Sequence, residues 1–229
     1  MNEPIFDPFG DFAVAGYLRN KHGSKNMDVV KAMEHHEFLA HLPEALDWIS
    51  DKPLDYDTLL GVHKILFGGF YPWAGRDRLS TTPDRVVSKG SVDFSSPEEI
   101  HDTFVRAMHQ PAPGTILAGL AYAHPFLDGN GRALFLFFCE HQRRQKTLIR
   151  FDQIDPAKSG EALSLAIAGH PSQLEDILKQ CSVPFPFRAP ETERLSRVFA
   201  SIDWSNQGLG QQYIAKPTIF HKIFSGFKK

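Results

Sequence analysis

The sequence predicts an all-α helical bundle carrying one short β-hairpin, and three observations lead there. Apolar residues recur at three- and four-residue intervals through most of the chain. Helix start and stop signals punctuate these stretches. A single run, "RVVS" at 85–88, has β-type composition, and "KGS" follows it as a turn signal. A chain of 229 residues suits one generous domain, or one domain with an appendage.

Taken in order, "MDVVKAMEHHEFLAH" (27–41) sets Val30, Met33, Glu34 and Phe38 at helical spacing. "LPEALDWIS" reads as a second helix with Pro43 in its first turn. Asp57 reads as the N-cap of "TLLGVHKILF", which Gly68-Gly69 ends. The Gly-, Pro- and Arg-rich stretch 71–94 reads as a loop with a small hairpin. Ser96 caps and Pro97 opens the next helix, with Glu98 and Glu99 opposing the dipole. "GTILAGLAYA" (114–123) reads as a buried helix leading into His124, and "GRALFLFFCEHQRRQ" as a helix deep in the core at its start. "SGEALSLAIAG" and "PSQLEDILKQC" give two more. Beyond Cys181 the text becomes proline-rich, so residues 1–182 read as the main domain. Residues 183–229 read as a linker, a short amphipathic helix and an aromatic, basic tail.

A formal net charge of −2 argues against a strongly basic nucleic-acid binder. No apolar run reaches the ~18 residues of a membrane span, and the N-terminus shows no signal peptide. Two cysteines, Cys139 and Cys181, form neither a disulfide framework nor a metal spacing, so a cytoplasmic setting fits best. In "HEFLAH" the histidines His36 and His41 are five apart, about 140° around a helix, unlike zinc pairs that share one face. His63, His101 and His109 have no ligand-spaced partner and receive no role. Arg76 and Arg78 read as braces of the hairpin.

Chemistry concentrates in "HPFLDGNGR", His124 to Arg132. Gly129, Asn130 and Gly131 lead into a helix whose free N–H groups suit an anion. Arg132 adds a cation suited to phosphate oxygens. Asp128 is placed to hold Mg²⁺ beside those phosphates. His124 supplies a base that titrates near neutrality. Together they suit deprotonation of a hydroxyl nucleophile that attacks a metal-bound phosphate.

This nine-residue stretch resembles the signature of Fic-domain proteins. "LFGGFYPWAGRDR" resembles the family's approach to its flap, and "SKGSVDFSSPEEI" the flap's end and following helix. "DFAVAGYLRNKHG" has a similar flavour to some bacterial members. The likeness spans about residues 10 to 180. It implies a Fic-type helical bundle with a β-hairpin flap, and transfer of AMP from ATP to a Ser, Thr or Tyr hydroxyl of a target protein. It also implies His124 as general base, Asp128 as Mg²⁺ ligand, and Gly129, Asn130, Gly131 and Arg132 on the phosphates. Val87, Ser88, Lys89 and Gly90 of the flap would dock the target by strand-like pairing. A separate antitoxin-like inhibitor is a further implied partner.

The family's extended pattern has a second arginine where this chain has Phe135. That arginine meets the γ-phosphate and pairs with an inhibitory glutamate from a Ser/Thr-x-x-x-Glu-Gly/Asn helix. Neither Ser24–Asp28 nor the stretch from Ser95 matches that helix, so the expectation is a protein without this glutamate switch. Phe135 also leaves the donor open: UMP, GMP, phosphate or phosphocholine transfer on the same scaffold, or a non-catalytic binding module. Gly131 stands where the phosphate-transferring branch has lysine, which disfavours that branch.

Overall fold

The computed structural model describes residues 7–10, 18–185 and 211–215. Eight α-helices and five short strands lie among these residues. The mostly helical architecture and its hairpin match the expectation.

Helix α1 runs Met27–Ile49, its N-terminus capped by Asn26, whose side chain accepts from the amides of Asp28 and Val29. The break expected at Pro43 does not occur, and α1 continues through it. Proline removes one i→i−4 donor, but Phe38, Leu42, Ala45, Leu46 and Ile49 form one buried stripe across the site, and that packing keeps both halves in line. Helix α2 (Tyr56–Phe67) is capped by Asp55, which accepts from Thr58 N at 2.9 Å, so Asp57 lies in the first turn rather than at the cap. A one-turn helix, α3 (Arg78–Thr81), precedes the hairpin.

Strands β1 (Arg85–Lys89) and β2 (Val92–Asp93) pair antiparallel across Gly90-Ser91. Gly90 takes φ +61°, the left-handed conformation that tight hairpin turns draw from glycine. After a 3₁₀ turn at Pro97–Glu99 comes α4 (Ile100–Met108); Ser96 makes no side-chain cap. Helix α5 (Pro113–Ala123) is apolar and mostly buried, and ends at His124. Helix α6 (Asn130–Arg144) is the centre of the bundle, touching α1, α2 and α5. Leu136, Phe137 and Phe138 are fully buried on it. Strand β3 (Thr147–Ile149) follows, then α7 (Pro156–Ile167) and α8 (Ser172–Gln180), which pack on α5.

The proline-rich stretch after Cys181 begins with a strand: β4 (Ser182–Pro184) pairs antiparallel with β3. A second departure is larger. Strand β5 (Gln211–Ala215), within the region read as tail, pairs antiparallel with β1 over its whole length, giving the sheet order β2-β1-β5. The remaining expectations for the tail, and for the first segment around residues 11–17, fall outside the described residues.

Candidate active site

The signature loop is the joint between α5 and α6. His124 caps α5 with φ 43° and ψ 58°, a left-handed conformation rare for a side chain of this size. Three contacts hold it there. Its ring stacks on Phe94, centroids 3.8 Å apart. Its carbonyl accepts from Arg78 Nε at 2.7 Å. The next carbonyl, of Pro125, accepts from Arg78 N at 2.7 Å. Arg78 is fully buried, and its Nη2 also reaches the carbonyls of Ser95 (2.6 Å) and Ala123 (3.4 Å). One guanidinium thus ties the end of α5 to the hairpin exit, a fork geometry that lysine cannot reproduce.

Asn130 closes the loop from within. Its Oδ1 accepts from Phe126 N at 2.8 Å and its Nδ2 donates to Phe126 O at 2.6 Å. The Asn130 side chain is therefore a loop clasp. The main-chain amides at the start of α6 remain without intrahelical acceptors, as at any helix N-terminus. Gly129 has φ +73°, and a Cβ there would lie 2.6 Å from the Phe67 ring. Both the backbone angle and the close approach require glycine.

His63 is a site residue that sequence reasoning missed. Its Nδ1 accepts from Gly75 N at 2.9 Å, which leaves Nε2 to donate to Asp128 O at 2.9 Å. The ring stacks on Phe126, centroids 3.7 Å apart. Burial pushes its pKa down to about 3, so it is a neutral strut. Spacing could not reveal this, because its partners lie in other elements.

Behind the turn sits a charged cluster. Arg132 is 2 % exposed and donates from Nη2 to Glu34 Oε1 at 2.7 Å. Its guanidinium lies over the rings of Phe67 (4.7 Å) and Phe38 (5.6 Å). Tyr71 also bonds Glu34, and burial pushes its phenol well above the usual range. Burial, reinforced by the Glu34 charge, raises Asp128 to about 7, while Arg132, the Gly129 amide and Lys89 act in the opposite sense. Asp128 Oδ1 accepts from Gly129 N at 2.6 Å. Glu34 was legible only as a carboxylate on an apolar stripe, a pattern that calls for a buried partner.

A cavity of about 860 Å³ lies beneath the hairpin. Lys89, Gly90, Val92 and Phe94 wall one side; His124, Asn130 and Gly131 form the floor. Phe135, Phe151 and Ile154, with apolar residues of α7 and α8, line the rest. Of the sequence-derived candidates, His124, Asn130, Gly131, Lys89 and Gly90 meet at this cavity. Asp128 and Arg132 belong instead to the cluster with Glu34. Val87 is 1 % exposed and serves as packing within β1, beside the half-buried Ser88. Among the described residues no group of three or more His, Cys, Asp or Glu side chains is gathered as a metal site. No helix among them is long and apolar enough to cross a membrane.

A helical bundle with a hairpin over a His-containing loop, whose glycine turn opens a helix, is the fold that the family resemblance implies. Residues 53–141 match the model of the Fic/DOC family, which marks that stretch as a Fic domain. The N-terminal Fic domain of a VirB-translocated Bep effector from Bartonella quintana superposes with a TM-score of 0.63 at 20% identity, covering 82% of this chain and 96% of that one. A second Bartonella quintana structure, with bound ADP, gives 0.60 at 20% identity over 76% of this chain and 94% of that one. BepC from Bartonella tribocorum, with bound AMPPNP, gives 0.58 at 18% identity over 75% and 94%. At these identities the likeness is one of fold.

Proposed function

We propose that this Fic-type transferase is a protein nucleotidyltransferase that moves AMP from ATP to a Ser, Thr or Tyr hydroxyl of a target protein. The observation that carries this reading is the meeting of His124 with the N-terminal turn of α6 in one cavity under the hairpin. An acceptor hydroxyl beside His124 would lose its proton to the imidazole. The oxygen attacks the α-phosphorus, a P–O ester bond forms, the bond to the β-phosphate oxygen breaks, and pyrophosphate leaves. Amides at the start of α6 are positioned to steady the charge on the phosphates. Two Fic structures carry ADP or AMPPNP, which supports a nucleotide for this cavity.

The donor set also fits Mg²⁺. Asp128 is a carboxylate beside the anion turn whose pKa is raised by burial and by the Glu34 charge, and Mg²⁺ commonly takes one or two carboxylates plus phosphate oxygens. Asp128 would hold it, and the ion would supply charge neutralisation at the phosphates. Arg132 serves the same anion once its bond to Glu34 is shared or released.

A second reading has support from Phe135. It lines the cavity and meets Phe151 edge-on at 5.0 Å, so it offers no charge to a γ-phosphate. That favours a donor with a different distal group, such as another nucleotide or a diphosphate-linked carrier. Incubation with α-³²P-labelled ATP, UTP, GTP and CTP separates the readings. Label transferred to protein from ATP and lost in His124→Ala supports AMP transfer. Label from another nucleotide alone moves the assignment to that donor, and no label from any of them overturns nucleotidyl transfer.

A further inference from the structure

The hairpin that walls the cavity already has a third strand. Strand β5 aligns Arg85 with Ala215, Val86 with Ile214, Val87 with Tyr213, Ser88 with Gln212 and Lys89 with Gln211. The opposite edge of β1 pairs with β2 only at Ser88–Asp93 and Lys89–Val92, extended by a bond from Phe94 N to Val87 O at 3.0 Å. That bond sets the alternation. Val87 directs its main-chain groups at the β2 side, so Val86 and Ser88 direct theirs at β5, with Gln212 and Ile214 opposite. The longer edge of the hairpin is thus fully taken by a segment more than 120 residues away in sequence.

The same hairpin forms the wall over His124 through Lys89, Gly90, Val92 and Phe94. An extended polypeptide brought to this site can gain five residues of main-chain pairing only on the β1 edge, since β2 is two residues long. Strand addition at an exposed edge is a general mode of peptide recognition, and an open edge of this length is also an aggregation hazard.

Strand-like docking of a target on the hairpin is what the family resemblance already implies; we propose that β5 occupies the β1 edge in cis as an exchangeable competitor of such an incoming segment. This rests on the proposed transferase reading only in naming the incoming segment as the substrate protein; β5 lies on the β1 edge of the hairpin whose residues Lys89, Gly90, Val92 and Phe94 line the His124 cavity. Because β5 is on the same chain, it competes at an effective concentration on the order of millimolar. A free segment of comparable sequence is therefore excluded at micromolar concentration. A target must bring additional contacts or a sequence that pairs better, and the tail sets that threshold.

The test uses the full chain. Gln212→Pro/Ile214→Pro removes both N–H groups aimed at β1. The probe is a fluorescent synthetic peptide of residues 210–216, GQQYIAK. The double variant is expected to bind it at least tenfold more tightly than the unmodified chain, because the cis competitor is gone. Amide exchange is expected to accelerate at Val86 and Ser88 but not at Lys89, whose amide faces β2. The converse variant, Arg85→Cys/Ala215→Cys, joins a facing pair in the ladder. Oxidised, it should refuse the peptide, and a thiol reductant should restore the level of the unmodified chain. Equal peptide binding by the double-proline variant and the unmodified chain, or unchanged exchange at Val86 and Ser88, overturns the proposal. Neither readout needs catalysis, so failure of nucleotide labelling would refute the transferase reading and leave this one standing.

Discussion

Glu34 Oε1 accepts from Arg132 Nη2 at 2.7 Å, joining the middle of α1 to the arginine of the signature loop across 98 positions of sequence. The family's glutamate switch, which the sequence is expected to lack, pairs with a second arginine, whereas this carboxylate meets the first one. The pair sits over two phenylalanine rings. Under the proposed function, a nucleotide phosphate would compete with Glu34 for this one guanidinium.

Replacing Glu34 by Gln should expose that relationship. Breaking one side of a buried ion pair costs about 3–5 kcal/mol, and the melting temperature should fall by roughly 2–4 °C per kcal/mol in a chain of this length. Mg-ATP should restore more stability to Glu34→Gln than to the unmodified protein, since phosphate replaces the lost carboxylate. Differential scanning fluorimetry with and without nucleotide measures both. An equal nucleotide-induced shift in the two proteins would show that the phosphates do not reach Arg132.

Asp128 gives a pH dependence with a definite sign. Its pKa rises from 3.8 to about 7 on folding, so the folded protein binds the extra proton across that window. Its contribution to stability is complete below pH 3.8 and is lost as pH rises through about 7. Asp128→Asn should flatten that slope in denaturant titrations between pH 5 and 8. Mg²⁺ binding requires the carboxylate, so it should tighten with pH up to about 7 and release a proton below it. Calorimetry in buffers of different ionisation enthalpy counts that proton.

Much of this was legible in advance, and the reasons for the rest are physical. Local signals placed α5, α6, the Gly90 turn and the His124–Arg132 loop, because caps, periodicity and glycine act over a few residues. The cap at Asp55 was misplaced by two residues because Asp57 satisfies the same rule on paper. Pro43 looked like a boundary because propensity carries no knowledge of the stripe packing around it. Arg78, His63 and Glu34 take their roles from partners 12 to 98 positions away, which spacing cannot see. The β1–β5 pairing was hidden for the same reason: "QQYIA" carries no feature that names its partner.

Gly129→Ala tests whether the turn needs its close approach as well as its backbone angle. A left-handed residue with a Cβ costs roughly 1–2 kcal/mol, and the 2.6 Å approach to Phe67 adds to it. Phe67→Leu in the same chain should return the steric part and leave the conformational part. Denaturant midpoints for the two single variants and the double variant give the coupling. Strict additivity would show that the Phe67 ring moves aside without cost.

Phe135→Arg asks what lies at the far end of the phosphates. The residue lines the cavity one helical turn after Gly131 and meets the Phe151 ring edge-on. If the triphosphate extends along α6 from its N-terminus, an arginine there gains a charge-assisted bond to the γ-phosphate and none to a diphosphate. Such bonds contribute about 1.5–3 kcal/mol, so affinity for ATP over ADP should rise at least tenfold relative to the unmodified chain. Isothermal titration with the two nucleotides reads that ratio directly. An unchanged ratio would mean that the distal phosphate leaves the cavity elsewhere, and that Phe135 selects a donor by its apolar face rather than by charge it lacks.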